Sequence, residues 1–295
     1  VGDLLTNDLL DFLETVPKGM FQFELGVQTT DQSSQEKIKR KQNNKKLFSA
    51  IERLISSNLI HIHCDLIFGL PGETLDDVLK SFEEVCMLRP HELQLGFLKF
   101  LPGAPIKNII TDYGYKYQST PPYEFISNND LSASQLNYLK KFEEVFDIFY
   151  NSKRFRFTVQ RLLKKLPAVN IFNSLLEHME SNNLFNQPHS LNAQYKIIHD
   201  TFTLNKDPAA LDILRLDYLY AQRVYRLPQF LEIDGARQKT WPGDKKTPLV
   251  PFLHTIQIDK GDAEIKPAPS LQFCAVVHVV ESSGYLSPPS LNWVS

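Results

Sequence analysis

The chain has 295 residues, 42% of them hydrophobic, with 32 basic and 34 acidic side chains, a net charge of −2 and three cysteines. That is enough apolar material for two or three domains with real cores, and a near-neutral balance gives no general attraction to nucleic acid. No apolar run is long enough to span a membrane, and three scattered cysteines argue against a disulfide framework and for a reducing, cytoplasmic setting.

Gly2 to Asp8 leads into an amphipathic helix carrying Leu9, Leu10, Phe12, Leu13 and Val16. In the strand that follows, Phe21, Phe23, Leu25 and Val27 alternate with Gln22, Glu24, Gly26 and Gln28, the period of two that separates the faces of a strand. The basic run Lys37, Lys39, Arg40 and Lys41 reads most simply as a solvated face. Asn43 to Ser57 is a helix with Leu47, Ala50, Ile51, Leu54 and Ile55 on one stripe.

A second strand puts Ile62, Cys64, Leu66 and Phe68 on one face and His61, His63, Asp65, Ile67 and Gly69 on the other. His61 and His63 suit structural or substrate-facing roles better than metal binding, because no third ligand is evident. The strand runs into Leu70-Pro71-Gly72-Glu73 and then Thr74, a natural N-cap with Asp76 and Asp77 in the first turn. The helix from Thr74 to Met87 carries Leu75, Val78, Leu79, Phe82, Val85 and Cys86 on its apolar stripe. A third strand, Leu93 to Phe100, sets Leu93, Leu95 and Phe97 against Gln94, Gly96 and Leu98. This order predicts consecutive βα units with right-handed crossovers. A barrel gathers its ligand groups at the C-terminal strand ends, and an open doubly wound sheet does the same.

Tyr113 to Asp130, rich in Tyr, Pro, Ser and Asn, reads as a long connection stiffened by Pro121-Pro122. Its Tyr113, Tyr115 and Tyr117 fit either a substrate lid or ordinary surface packing. Helices are expected over Ser132–Tyr150, Phe155–Leu166, Ile171–Asn182, Leu191–Phe202 and Pro208–Tyr220, with Ser132 and Gln135 forming a capping box. From Ile233 onward, Val250–Ile258 and Leu271–Val280 read as strands separated by Lys260-Gly261-Asp262 and a proline-containing stretch. That tail is open between a divergent end, a separate small β element and sequence foreign to what precedes it. The expected domains are 1–112, 113–232 and 233–295.

Gly26-Val27-Gln28-Thr29, Lys37-Ile38-Lys39-Arg40 and the run Asp65-Leu66-Ile67-Phe68-Gly69-Leu70-Pro71-Gly72-Glu73-Thr74 together resemble the second half of the radical S-adenosylmethionine (radical SAM) barrel. The resemblance is closest to bacterial radical SAM proteins with an N-terminal cobalamin-binding domain and a C-terminal helical domain of unknown function. It covers residues 1 to 230, Leu93 to Gly103 included, and is most specific from Asp65 to Thr74. It implies an α/β fold: the second half of a partial (β/α)6 barrel, then a mainly α-helical domain. It further implies that Gln28, Arg40 and Asp65 lie around the methionyl and ribose parts of S-adenosylmethionine, with Glu24 a further candidate contact. The strand through Ile67 and Gly69 would pass beside the adenine. The chemistry suits these types: an amino acid end needs carboxylate, amide and guanidinium partners, and a ribose diol suits a carboxylate. Gly69 and Gly72 would let backbone approach a flat ring.

Members of the family hold a [4Fe-4S] cluster on three cysteines spaced C-x3-C-x2-C. This sequence has only Cys64, Cys86 and Cys274, the first two on apolar faces and read as core residues. The expectation is therefore a fragment, inactive alone, whose cobalamin domain, cluster loop and first three strands lie upstream. By the resemblance, the full protein would cleave S-adenosylmethionine reductively for radical chemistry, or methylate through cobalamin, on an unknown substrate. Its cofactors would be S-adenosylmethionine, the cluster and cobalamin, and its reductant a flavodoxin or ferredoxin. Two rivals stand beside this reading: a cluster-free (β/α)-barrel enzyme binding a phosphorylated ligand at the turn before Thr74, and a non-catalytic interaction protein.

Overall fold

The computed structural model describes residues 4–221, 227–233, 239–241, 244–259, 262–277 and 290–294. The chain divides into two compact units, one formed by Val1–Asp147 with Pro167–Phe172, the other by Ile148–Leu166 with Asn173–Ser295.

The first unit is built on a three-stranded parallel sheet in the order β1 (Gln22–Gln28), β2 (His61–Phe68), β3 (Glu92–Phe97). Helices α1 (Asn7–Leu13) and α2 (Gln32–Lys37) flank β1, α3 (Asn44–Ser57) crosses from β1 to β2, and α4 (Leu75–Met87) from β2 to β3. The strand patterns predict one apolar face, and Leu25, Val27, Ile62, Cys64, Leu66, Phe68, Leu93 and Leu95 are indeed buried. Leu47, Ala50, Ile51 and Leu54 of α3 and Val78, Phe82, Val85 and Cys86 of α4 are buried too, each large side chain contributing about 1.5–3 kcal/mol. Asn43 caps α3 and Asn58 ends it in the left-handed region, while Thr74 and Asp77 close a capping box on α4.

Three expectations change in this unit. In α1 only Leu10 and Leu13 are buried, with Leu9 42% and Phe12 57% exposed, because a helix of under two turns turns just one i, i+3 pair inward. Helix α2, six polar residues with no apolar stripe to reveal it, is held by its cap Asp31 and by bonds from Ser34 to Pro71 O and from Gln35 to Thr29 O. The third strand ends at Phe97, and Leu98 is buried rather than facing the polar side. There the backbone gains a second partner: Leu98 N–H still donates to Phe68 O at the end of β2, while Leu98 O accepts from Phe125 N–H.

The connection expected over Tyr113–Asp130 contains a short antiparallel pair, β4 (Lys116–Tyr117) and β5 (Phe125–Ser127), too brief for an alternation to show. Helix α5 (Ala133–Phe146) follows, with the Ser132–Gln135 capping box in place. The Phe82 ring meets Phe142, Phe146 and Phe172 edge-on at 4.8, 5.1 and 5.9 Å, the geometry aromatic quadrupoles favour.

The second unit holds α6 (Arg156–Leu163), most of α7 (Ala168–Ser181), α8 (Leu191–Thr201) and α9 (Pro208–Ala221), close to the expected helices. Beyond them β6 (Lys239–Trp241), β7 (Asp244–Asp259), β8 (Asp262–Val277) and β9 (Ser290–Val294) form an antiparallel sheet in chain order. Strand β8 starts nine residues before the expected Leu271, taking in the proline-containing stretch. The ladder accommodates this by a break: Phe252 pairs with Gln272 but His254 with Pro267, so Pro269, which has no N–H to donate, falls in the irregular segment. Lys260, Gly261 and residues 278–280 at the end of the expected last strand lie outside the described residues. No helix among the described residues is long and apolar enough to cross a membrane.

Candidate functional site

The polar face of the sheet is arranged by register. Gln22 pairs with His61, Glu24 with His63 and Gly26 with Asp65, while His63 pairs with Glu92 and Asp65 with Gln94. These residues therefore stand in rows across one face, and the rows nearest the C-terminal strand ends carry the predicted ligand groups.

Three of the candidates meet at Gly26. The Arg40 guanidinium donates to Gly26 O and, through Nε, to Gln42 Oε1 at 2.8 Å. Gln28 sits at φ 68° after a bulge in the pairing with β2, which folds its side-chain amide back into the space a Cβ on Gly26 would occupy. Asp65 Oδ2 lies 3.9 Å from that same point. Gly26 thus makes room for an amide, a guanidinium and a carboxylate in one place. Arg40 is half-buried while Lys39 and Lys41 are exposed, so the basic run is not uniformly solvated.

The remaining candidates fall around this point. Glu24 is exposed, one inward position below Gly26. Ile67 is half-buried and pairs with Gly96, one inward position beyond Asp65. Gly69 is at φ 90°, and a Cβ there would run into the Phe125 ring. The flat ring this glycine admits in the structure is thus the chain's own. Gly72, at φ 78°, is approached instead by the Lys37 side chain. Tyr115 is buried, donates from its hydroxyl to Gly69 O at 2.8 Å and packs on Phe100 at 4.8 Å, which makes it a core residue and neither lid nor surface.

The phosphate reading loses its donors. Gly72 N–H is taken by Asp130 Oδ2 at 3.1 Å and Thr74 N–H by Asp77 Oδ2 at 3.0 Å, so carboxylates occupy the turn where an anion would bind. His61 Nε2 is 3.8 Å from Glu92 and His63 Nε2 3.1 Å from Asp65 Oδ1. Among the described residues no group of three or more His, Cys, Asp or Glu is placed to hold a metal ion.

Sequence reasoning missed Glu73. It is 1% exposed, accepts from the Thr29 hydroxyl, and Thr29 in turn bonds Asp31 N–H at 2.9 Å and lies 3.3 Å from Ser81 Oγ. The network joins the turn after β1 to the turn after β2. Its only sequence signal is an acid between Gly72 and the cap Thr74, a place that reads as solvent. Burial pushes the Glu73 carboxyl up to about 8. A carboxyl raised in the folded state contributes stability that is full below its unfolded value and is lost as pH rises through the folded one. The unfolding free energy from denaturant titrations is thus expected to fall between about pH 5 and about pH 8, by up to about 1.4 kcal/mol per pH unit, with Glu73→Gln flattening the slope. Parallel profiles for the two proteins would refute the assignment.

The cysteines do not fit a cluster. Cys64, Cys86 and Cys274 are buried and in no disulfide, and burial pushes the Cys64 thiol up to about 12 and the Cys86 thiol higher still, the reverse of what thiolate ligands need. Anaerobic reconstitution of these 295 residues is expected to leave iron and sulfide far below stoichiometric; four irons per chain would contradict this.

Against known proteins, residues 2–85 match the Radical SAM superfamily and residues 111–245 match a family described as Protein of unknown function (DUF4080). The heme chaperone HemW of Buchnera aphidicola subsp. Acyrthosiphon pisum (strain APS) is 29% identical over 138 residues, 46% of this chain and 34% of that protein. Its counterpart from subsp. Schizaphis graminum (strain Sg) is 28% identical over 94 residues, 32% of this chain and 25% of the relative. The chain therefore spans about a third or less of these relatives' length. Among solved structures, coproporphyrinogen III oxidase (HemN) from Escherichia coli, a Radical SAM enzyme, aligns at 22% identity with a TM-score of 0.30, covering 38% of this chain and 31% of that one. Over residues 2–85 the chain is thus similar to the Radical SAM superfamily, the one its β1 and β2 motifs resemble.

Proposed function

We propose that this chain carries part of the S-adenosylmethionine site of a radical SAM enzyme acting on an unidentified small molecule. The observation that carries the reading is the convergence of Gln28, Arg40 and Asp65 on Gly26 at the C-terminal ends of β1 and β2, within the segment matched to the superfamily. In this reading Asp65 accepts from the ribose hydroxyls, Gln28 and Arg40 meet the amino acid end, and Ile67 and Gly69 line the adenine. When bound, a [4Fe-4S] cluster with an electron from a flavodoxin or ferredoxin would supply the reductive cleavage of S-adenosylmethionine. The cluster's ligands are not among this sequence's cysteines, so the part assigned to this chain is binding and orientation. The barrel is part of the proposal, β1 to β3 being three of its strands. Cobalamin is left out of it, since the curated relatives are haem-related by name.

Calorimetric titration with S-adenosylhomocysteine, which keeps the adenosine and amino acid ends without the reactive sulfonium, tests this. Saturable binding that free methionine competes for weakly is expected. Binding of inorganic phosphate in its place would favour the phosphate-site rival and overturn the reading.

A further inference from the structure

We propose that His63 is a positioning residue for Asp65: it engages one carboxylate oxygen and leaves the other turned toward Gly26, where Gln28 and Arg40 meet. The inference rests on the S-adenosylmethionine reading and adds to it a residue that no motif singles out.

His63 and Asp65 are successive inward positions on β2, spaced so that their side chains touch. Their closest atoms, His63 Nε2 and Asp65 Oδ1, are 3.1 Å apart. Asp65 Oδ2 lies 3.9 Å from the point a Cβ on Gly26 would occupy, the point at which the Gln28 amide also stands. The two oxygens are thus divided between the imidazole and the ligand point. His63 Nε2 is also buried without a completed hydrogen bond, and a buried polar atom in that state gains by closing on the nearest acceptor. That acceptor is Asp65. A ligand that orders the carboxylate completes the bond, so binding and the imidazole contact reinforce each other.

The neighbours make His63 matter. Facing Asp65 are Glu24 and Gly26 from β1, His63 from its own strand, and Glu92 and Gln94 from β3. Burial raises the Asp65 carboxyl above the usual range, Glu24 and Glu92 raise it further, and His63 opposes them. A ribose diol needs the carboxylate ionised, so the acid limit of ligand binding should follow Asp65, and His63 should hold that limit down.

Two readouts on the 295-residue chain decide the matter. In the ligand-free protein, the carboxyl-13C titration midpoint of Asp65 is expected to rise by about one pH unit in His63→Gln. In S-adenosylhomocysteine titrations the acid limb of the affinity profile should move up with it. Above that limb His63→Gln, whose amide still donates, should bind like the unmodified protein, whereas His63→Ala should lose about three- to tenfold. An unmoved Asp65 midpoint in His63→Gln, or full affinity of His63→Ala above the limb, overturns the proposal. A moved midpoint with no binding by the unmodified protein sinks the S-adenosylmethionine reading and leaves the His63 contact standing.

Discussion

Asp212→Ala is expected to lower the stability of the second unit by about 3–5 kcal/mol. The carboxylate is fully buried and accepts from the Arg215 guanidinium, from the Leu253 and His254 backbone N–H groups at 2.9 Å each, and from His254 Nδ1 at 2.9 Å. Arg215 is itself 1% exposed, donating to Leu231 O at 2.6 Å and Glu232 O at 3.3 Å. Removing the carboxylate strands a buried guanidinium and two backbone donors, which costs far more than the pair contributes net. Asp212→Leu combined with Arg215→Met, which removes both charges, should recover the part of the loss that comes from the uncompensated guanidinium, while the Leu253 and His254 N–H groups stay without the carboxylate. Urea unfolding of the three proteins checks this, and an Asp212→Ala protein within about 1 kcal/mol of the original would mean that Arg215 finds another partner.

The same carboxylate links the tail to the helix before it. Asp212 belongs to α9 and Leu253 and His254 to β7, so a strand of the C-terminal sheet is hydrogen-bonded to a helix of the same compact unit. The aspartate was unreadable in advance because an acid among the apolar residues of Pro208–Tyr220 looks like the solvent side of an amphipathic helix, and its backbone donors lie 41 and 42 residues away.

Local patterns were legible wherever one face had to be buried. Strands β1 and β2 and helices α3, α4 and α5 follow from alternation, apolar stripes and caps at Thr74 and Ser132, because burial dictates residue type at fixed spacing. Elements held by polar contacts were not legible: α2 rests on Asp31, Ser34 and Gln35, and β4 and β5 are two and three residues long. In the site, Gln28, Arg40 and Asp65 were named from the resemblance, but their meeting point was not. It depends on a bulge and a positive φ at Gln28 that alternation cannot show. Glu73 and Tyr115 were missed or misread for a related reason, since each is polar, buried and satisfied by a partner more than 40 residues distant.

Asp65→Ala is expected to weaken adenosyl-ligand binding about ten- to a hundredfold, the loss of a charge-assisted hydrogen bond of about 1.5–3 kcal/mol, while His61→Ala has a much smaller effect. The difference comes from position on one strand. Asp65 pairs with Gly26 beside Gln28 and the Arg40 contact, toward the C-terminal strand ends where βα folds place ligands. His61 pairs with Gln22 at the start of β1, two inward positions and about 13 Å further down at the usual rise per residue, and its ring stands near Glu92 and His91. Asp65→Asn separates charge from shape: it keeps an acceptor oxygen but not the ionised one, so its loss should fall between those of His61→Ala and Asp65→Ala. Calorimetric titration of S-adenosylhomocysteine into each variant ranks them. Equal affinities for Asp65→Ala and His61→Ala would mean that the ligand does not bind at the Gly26 junction, whatever else the chain binds.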